Sequence, residues 1–253
     1  MAKLMNLPRF FAALSFVVLW LSVQLGGIIG KRAHTLNAEE REDFAVIQAA
    51  ILTLLGLLIG FTFSMAVSRY DQRKNYEEAE ANAIGTEYVR ADLLPSPDAE
   101  EARELLKKYL DQRILFYETQ DDDQLEQINK STAQLQTELW STVQTRAVAT
   151  PNPVVALAVS GMNDVLNTQG YTQAAWWNRI PLVAWILLVV IAICCNVLIG
   201  YGMHRKGKFL TVVLPFAVSI SFLLIADIDS PRRGLIRLHP QNLISLSQSL
   251  HGQ

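Results

Sequence analysis

Cysteine is nearly missing from this chain, and a disulfide framework goes with it. Only Cys194 and Cys195 occur, adjacent and inside an apolar run. Neighbouring cysteines rarely bridge each other and do not have metal-ligand spacing, so they read as small packing or membrane-facing residues. Histidine is equally scarce. His34, His204, His239 and His251 are scattered, none at a metal-binding interval. HExxH, GxSxG and glycine-rich phosphate loops are absent, so no enzyme, cofactor or metal site is expected. Neither charge sign dominates, with 22 Lys and Arg against 24 Asp and Glu. No basic patch interleaved with aromatics appears, which removes nucleic acid from the expected partners. The alternation that marks strands is not visible either.

Charge itself is missing from four stretches and crowded between them. That distribution predicts an all-α membrane protein with four transmembrane helices and a water-soluble helical insert. The lipid bilayer is its first expected partner. The longest element organises the rest. No charge occurs between Asp43 and Arg69, enough to cross a bilayer, and no helix breaker follows until Pro95. One helix of about 50 residues, roughly 75 Å long, is expected from Phe44 to Asp92. Its membrane half carries two rows. Gly56, Gly60, Ser64 and Ser68 recur every four residues, small enough to let another backbone approach. Thr53, Leu57, Phe61 and Met65 form a row beside them. Spacing alone makes both rows packing faces.

The first span, about 10–29, follows the basic start MAKLMNLPR and ends at Gly26, Gly27 and Gly30. A cleaved signal peptide is the competing reading. Residues 1–69 then form a first transmembrane pair, with spans at about 10–29 and 44–67. Residues 70–179 form the helical extramembrane domain. Within it Ser96-Pro97-Asp98 reads as a capped helix start, followed by a stripe of Ala102, Leu105, Leu106, Tyr109, Leu110 and Phe116. Asp121 to Asp123 read as a solvated helix start rather than a calcium site. Leu125, Ile128, Leu135, Leu139, Val143 and Ala147 make a second stripe, and a third helix runs from about Val154 to Leu166, ending near Gly170. Trp176 and Trp177 fit an interfacial aromatic belt. Residues 180–228 hold the second pair, with spans at about 181–203 and 209–226, joined by the basic loop HRKGK. Residues 229–253 form an amphipathic tail expected on a protein or membrane surface. Flanking basic residues are nearly balanced between the two sides, so charge does not orient the chain.

One polar cluster stands out: Asp227, Asp229, Arg232 and Arg233 at the end of the fourth span. It could bind an ion or phosphate, or pair internally and fix the helix end. Asn196, polar at membrane depth, is expected to hydrogen-bond to a neighbouring helix.

The segment GFTFSMAVSRYDQRKN, residues 60–75, resembles the second-helix signature of bacterial bestrophins. Span order agrees as well. SRYDQR, EANAIGTEYVRADLLP and DIDSPRRG together are similar to an uncharacterised bacterial bestrophin-like membrane family, over roughly residues 40–240. The resemblance implies a homo-oligomeric anion channel of the bacterial inner membrane, pentameric in bestrophins, with the insert cytoplasmic and inorganic anions as its cargo. It also implies a channel neck at Thr53, Leu57 and Phe61, where Thr53 departs from the family's bulky apolar pattern. Helix packing at Gly56, Gly60 and Ser64 rests on their spacing. Asp227 and Asp229 stand near the calcium clasp of animal bestrophins, but two arginines follow, so calcium gating is not expected. A membrane-anchored helical interaction or sensory module without conductance is the alternative. An integral membrane enzyme using Asp227 and Asp229 is a third.

Overall fold

The protein is described by a computed structural model covering residues 8–32, 37–149, 151–202 and 210–252. His34 and the HRKGK loop lie outside the described residues. Among those described there is no strand. The helices are α1 (Pro8–Arg32), α2 (Ala38–Arg90), a 3-10 turn (Ala91–Leu93), α3 (Ser96–Glu118), α4 (Asp122–Ala149), α5 (Pro153–Trp177), α6 (Leu182–Gly202), α7 (Leu210–Asp229) and α8 (Gln241–His251). Four of them carry windows long and apolar enough to cross a membrane: α1, α2, α6 and α7.

The chain divides into two compact units. The first comprises residues 1–69 and 179–236, the second residues 70–178 and 237–253. Helix α2 contributes to both.

In the first unit α1 packs against α6 and α7. The glycines expected to end α1 do something else. The helix runs on to Arg32, and a Cβ at Gly26 would collide with the Val197 carbonyl. Gly200 on α6 is in the same position against the Val23 carbonyl, and a Cβ at Gly30 would lie 2.6 Å from the Tyr201 carbonyl oxygen. These glycines allow two backbones to touch. Phe11, Trp185 and Phe222 close the other end of the packing, with Phe11 and Trp185 edge to face at 5.2 Å. Asn196 does not reach a neighbouring helix. Its amide donates to the Ala192 carbonyl one turn back at 2.7 Å, the bond always available to a short polar side chain in a helix.

α2 starts six residues earlier than expected. Asn37 Oδ1 accepts from the Glu40 amide and Glu40 Oε2 accepts from the Asn37 amide, both at 2.8 Å. This reciprocal pair satisfies two orphan amides and draws the acidic segment AEERED into the helix.

In the second unit α3 packs on α4 and α8, and α4 on α5. The two sequence stripes meet in one core, where Leu106, Tyr109, Leu110, Phe116, Leu139 and Val143 are fully buried. Ser96 is not the cap of α3: Pro95 holds that position and no side chain caps the helix. Asp98 instead pairs with Arg146 on α4. α5 runs through Gly170 to Trp177, because Thr172, Ala175 and Trp176 beyond it are buried and hold the last turns. Trp176 belongs to that core rather than to an aromatic belt, its ring 5.0 Å from Phe116 and 5.5 Å from Tyr117. Trp177 is exposed. The tail helix α8 buries Leu243 and Leu250 in the same core.

Candidate functional site

Helix α2 has two faces with different chemistry. Its buried positions are Leu55, Thr62, Ala66, Arg73, Glu77, Glu80, Ala81, Ile84 and Glu87, a single stripe at helical spacing. In the membrane half that stripe is apolar or small. In the second unit the same stripe buries an arginine and three glutamates.

Among the described residues the opposite face of the membrane half has no packing partner. Thr53, Leu57, Phe61, Gly56, Gly60 and Ser64 all lie on it and are exposed. Leu57 is 52% exposed and Phe61 62%. A Cβ added at Gly56 or Gly60 would meet nothing within 4 Å. The Thr53 hydroxyl donates to the Ala49 carbonyl at 2.9 Å, so it presents little free polarity. The structure thus brings the two sequence rows onto one continuous apolar face, and leaves them there uncovered.

The buried acids each hold something. Glu77 accepts from the backbone amides of Asn242 and Leu243 at 2.9 and 3.0 Å and from the Asn242 side chain at 2.6 Å. A carboxylate at a helix N-terminus is favoured by its free amides and its dipole. Glu77 thereby ties α8 to α2. Glu80 forms an ion pair with Arg113 on α3, and both are fully buried. Its other oxygen accepts from Tyr117 and from Thr172 on α5, each at 3.1 Å. One carboxylate therefore joins α2, α3 and α5. Arg113 also lies over the Phe116 ring at 4.3 Å. Burial works against the Arg113 charge, but Glu80 beside it prevails and holds its pKa above the ordinary value. Burial, reinforced by the Glu80 charge, pushes the Tyr109 and Tyr117 hydroxyls well above the usual tyrosine range. Both stay neutral at any physiological pH.

Glu87 differs from these. Its Oε2 is buried and accepts no hydrogen bond. Burial pushes the carboxyl up to about 8, with Arg90 pulling it down and Asp164 pushing it further up.

At the end of α7, Asp227 and Asp229 are each 3% exposed. Asp227 accepts from the amides of Leu235 and Ile236 at 2.7 and 2.8 Å. Asp229 accepts from the Ile180 amide at 3.1 Å and lies 3.6 Å from Arg69 Nη1 on α2. The two carboxylates organise the turn after α7 and the start of α6. Arg232 is half-buried and Arg233 exposed in that turn. Among the described residues no group of three or more His, Cys, Asp or Glu could hold a metal ion.

Sequence reasoning missed Glu77, Glu80, Glu87 and Arg113. A signal existed for the three acids. They fall at three- and four-residue steps in phase with Leu55, Thr62 and Ala66, where an ordinary solvated face would be out of phase.

No curated protein resembles the chain closely enough in sequence to count as a match. Solved structures do resemble it. A point variant of a bacterial bestrophin homologue from Klebsiella pneumoniae superposes with a TM-score of 0.68 at 13% identity, covering 95% of this chain and 98% of that one. A second structure of a Klebsiella pneumoniae bestrophin homologue, solved by zinc phasing, gives a TM-score of 0.67 at 14% identity, covering 96% and 97%. At such identity the likeness speaks for the fold. The sequence pattern of the bestrophin-like domain matches residues 10–243, nearly the whole chain, and the protein belongs to the bestrophin-like family of membrane proteins.

Proposed function

We propose that the protein is a homo-oligomeric anion channel of the bacterial inner membrane, with its neck on α2 at Thr53, Leu57 and Phe61. The observation that carries this reading is the uncovered apolar face of α2. Leu57 and Phe61 project from a helix whose other face is already packed, beside glycines that leave room for another backbone. A second copy of the chain fits such a face, because small residues permit close approach in a membrane where apolar burial alone drives little association. Around a symmetry axis, rings of Leu57 and Phe61 resist wetting and gate hydrated ions, and phenyl edges present partial positive charge to an anion. A pentamer follows by family resemblance, with residues 70–179 as the cytoplasmic domain.

The test is flux in liposomes. The purified protein is expected to pass chloride faster than sodium, and Leu57→Ala with Phe61→Ala to pass more than wild type by removing the apolar barrier. Cysteines at these two positions, in a variant lacking Cys194 and Cys195, should react with water-soluble thiol reagents. Inert cysteines, together with no flux from either protein, would overturn the channel reading and favour a membrane-anchored interaction or sensory module.

A further inference from the structure

α5 meets α2 at Gly161. A Cβ there would overlap Glu87 Oε2 and come within 2.7 Å of Arg90 Nη1. Carboxyl and guanidinium therefore flank one point, one turn apart on the same helix. Arg90 nevertheless donates across to α5, from Nη1 to the Leu157 carbonyl at 3.5 Å. Glu87 Oε2 is left without a donor, on a residue only 1% exposed. The other charged group facing it is Asp164 on α5. Asp92, in the 3-10 turn that follows α2, is already paired with Arg103 on α3. An open groove of about 490 Å³, lined by Thr86, Arg90, Gly161, Asp164 and Asn167, runs alongside and gives water a path to the site.

We propose that Glu87 is a proton-operated latch between the long helix and α5. With the carboxyl neutral, Arg90 stays tied to the Leu157 carbonyl. With the carboxylate formed, Arg90 turns back to Glu87 on its own helix and releases α5.

The reasoning is electrostatic. A neutral carboxyl tolerates burial without a partner far better than a carboxylate does. Once the proton leaves through the groove to water, the new charge must find a donor. Arg90, three residues on, is within reach as a helical i,i+3 partner. Asp164 cannot help, since it carries the same sign. A set point near 8 places the exchange in a range where modest changes of pH matter. The latch lies within the second unit and stands whether or not α2 forms a conducting neck.

Two measurements on the full-length protein in lipid nanodiscs test it. Infrared difference spectra between about pH 6 and about pH 10 should show a protonated-carboxyl band that disappears with a midpoint near 8. The band should be missing in Glu87→Gln. In Arg90→Ala its midpoint should rise, since Arg90 lowers the Glu87 pKa. Hydrogen exchange should show protection of the α5 amides around Leu157 falling about tenfold over the same range, after correction for intrinsic rates. That fall should be absent in Glu87→Gln, which keeps a neutral side chain at every pH. In Arg90→Ala protection should be low throughout. The proposal is overturned if wild type lacks a band that depends on Glu87. It is also overturned if α5 protection follows pH equally in wild type and Glu87→Gln.

Discussion

Single carboxylates do much of the joining in this protein, and they do it in two ways. Glu80 and Asp227 are satisfied on several sides, whereas Glu87 is not. Removing Glu80 by Glu80→Ala leaves Arg113 buried without its counter-ion, which costs roughly 3–5 kcal/mol and should show as a large fall in the melting temperature of the helical unit. Asp227→Asn acts more mildly. It removes the charge from two short bonds to the amides of Leu235 and Ile236, each worth about 1.5–3 kcal/mol when the acceptor is charged. Thermal stability should therefore fall while any ion selectivity stays put. Lost transport at unchanged stability would instead make Asp227 a ligand-binding group. For Glu87 the sign runs the other way from an ordinary acid. Its pKa rises from 4.5 unfolded to about 8 folded, so the folded state holds the extra proton between those values. The stability it contributes is full below about 4.5 and is lost as pH climbs through 8. Glu87→Gln should remove that decline, and melting curves of the two proteins should diverge as pH rises through this window.

Elements show where sequence patterns carry far and where they stop. The four apolar spans, the length of α2 and both core stripes of the second unit were legible, because each rests on a sustained period that no other arrangement satisfies. Ends were less so. Glycine in α1 and α5 looks like a stop, yet Gly26 and Gly30 are interior residues at a helix crossing and Gly170 simply continues α5. A glycine's role depends on what lies opposite, and that partner, α6, is some 170 residues away in the sequence. The Asn37–Glu40 capping box was in plain view but lay ahead of Phe44, where the helix was expected to begin. Buried charge was the least legible, since the phase of Glu80 turns it inward but nothing in the sequence names Arg113, 33 residues on, as its partner. The glycine distinction yields a paired prediction. Gly200→Leu would force a side chain into the Val23 backbone and should destabilise the protomer itself. A Cβ at Gly60 meets nothing within 4 Å among the described residues, so Gly60→Leu should leave the protomer folded and change only the mass of any assembly in detergent. Equal effects of the two on protomer stability would show that the α2 face packs within the chain after all.

At the scale of the molecule, the unusual feature is a single helix whose uncharged stretch from Phe44 to Ser68 continues past Arg69 into a charged one, each taking part in a packed unit. Such a helix joins a membrane segment to a helical unit without a proline between Ala38 and Arg90. Its orientation in the membrane is not decided by flanking charge, because Lys31 and Arg32 stand before it while Arg69, Arg73 and Lys74 follow its apolar half. Count decides more than charge here. Four crossings return the chain to its starting side, so the segment after α2 and the segment after α7 must share one side of the bilayer. Reporter fusions after Gln124 and Leu250 should therefore report the same compartment, and fusions after Asn37 and Gly202 the opposite one. The expectation does not depend on which side is cytoplasmic. A split between the Gln124 and Leu250 reporters would mean that α6 or α7, the two apolar helices between them, does not cross. The first to suspect would be α7, the less apolar of the two. The tie between Glu77 and the amides of Asn242 and Leu243 could not then form, because those residues would lie across a membrane from one another. Glu77→Ala with the fusions in place separates the two cases. It should loosen α8, seen as faster exchange of its amides, without moving either reporter, because the crossings are set by apolar length and not by this bond.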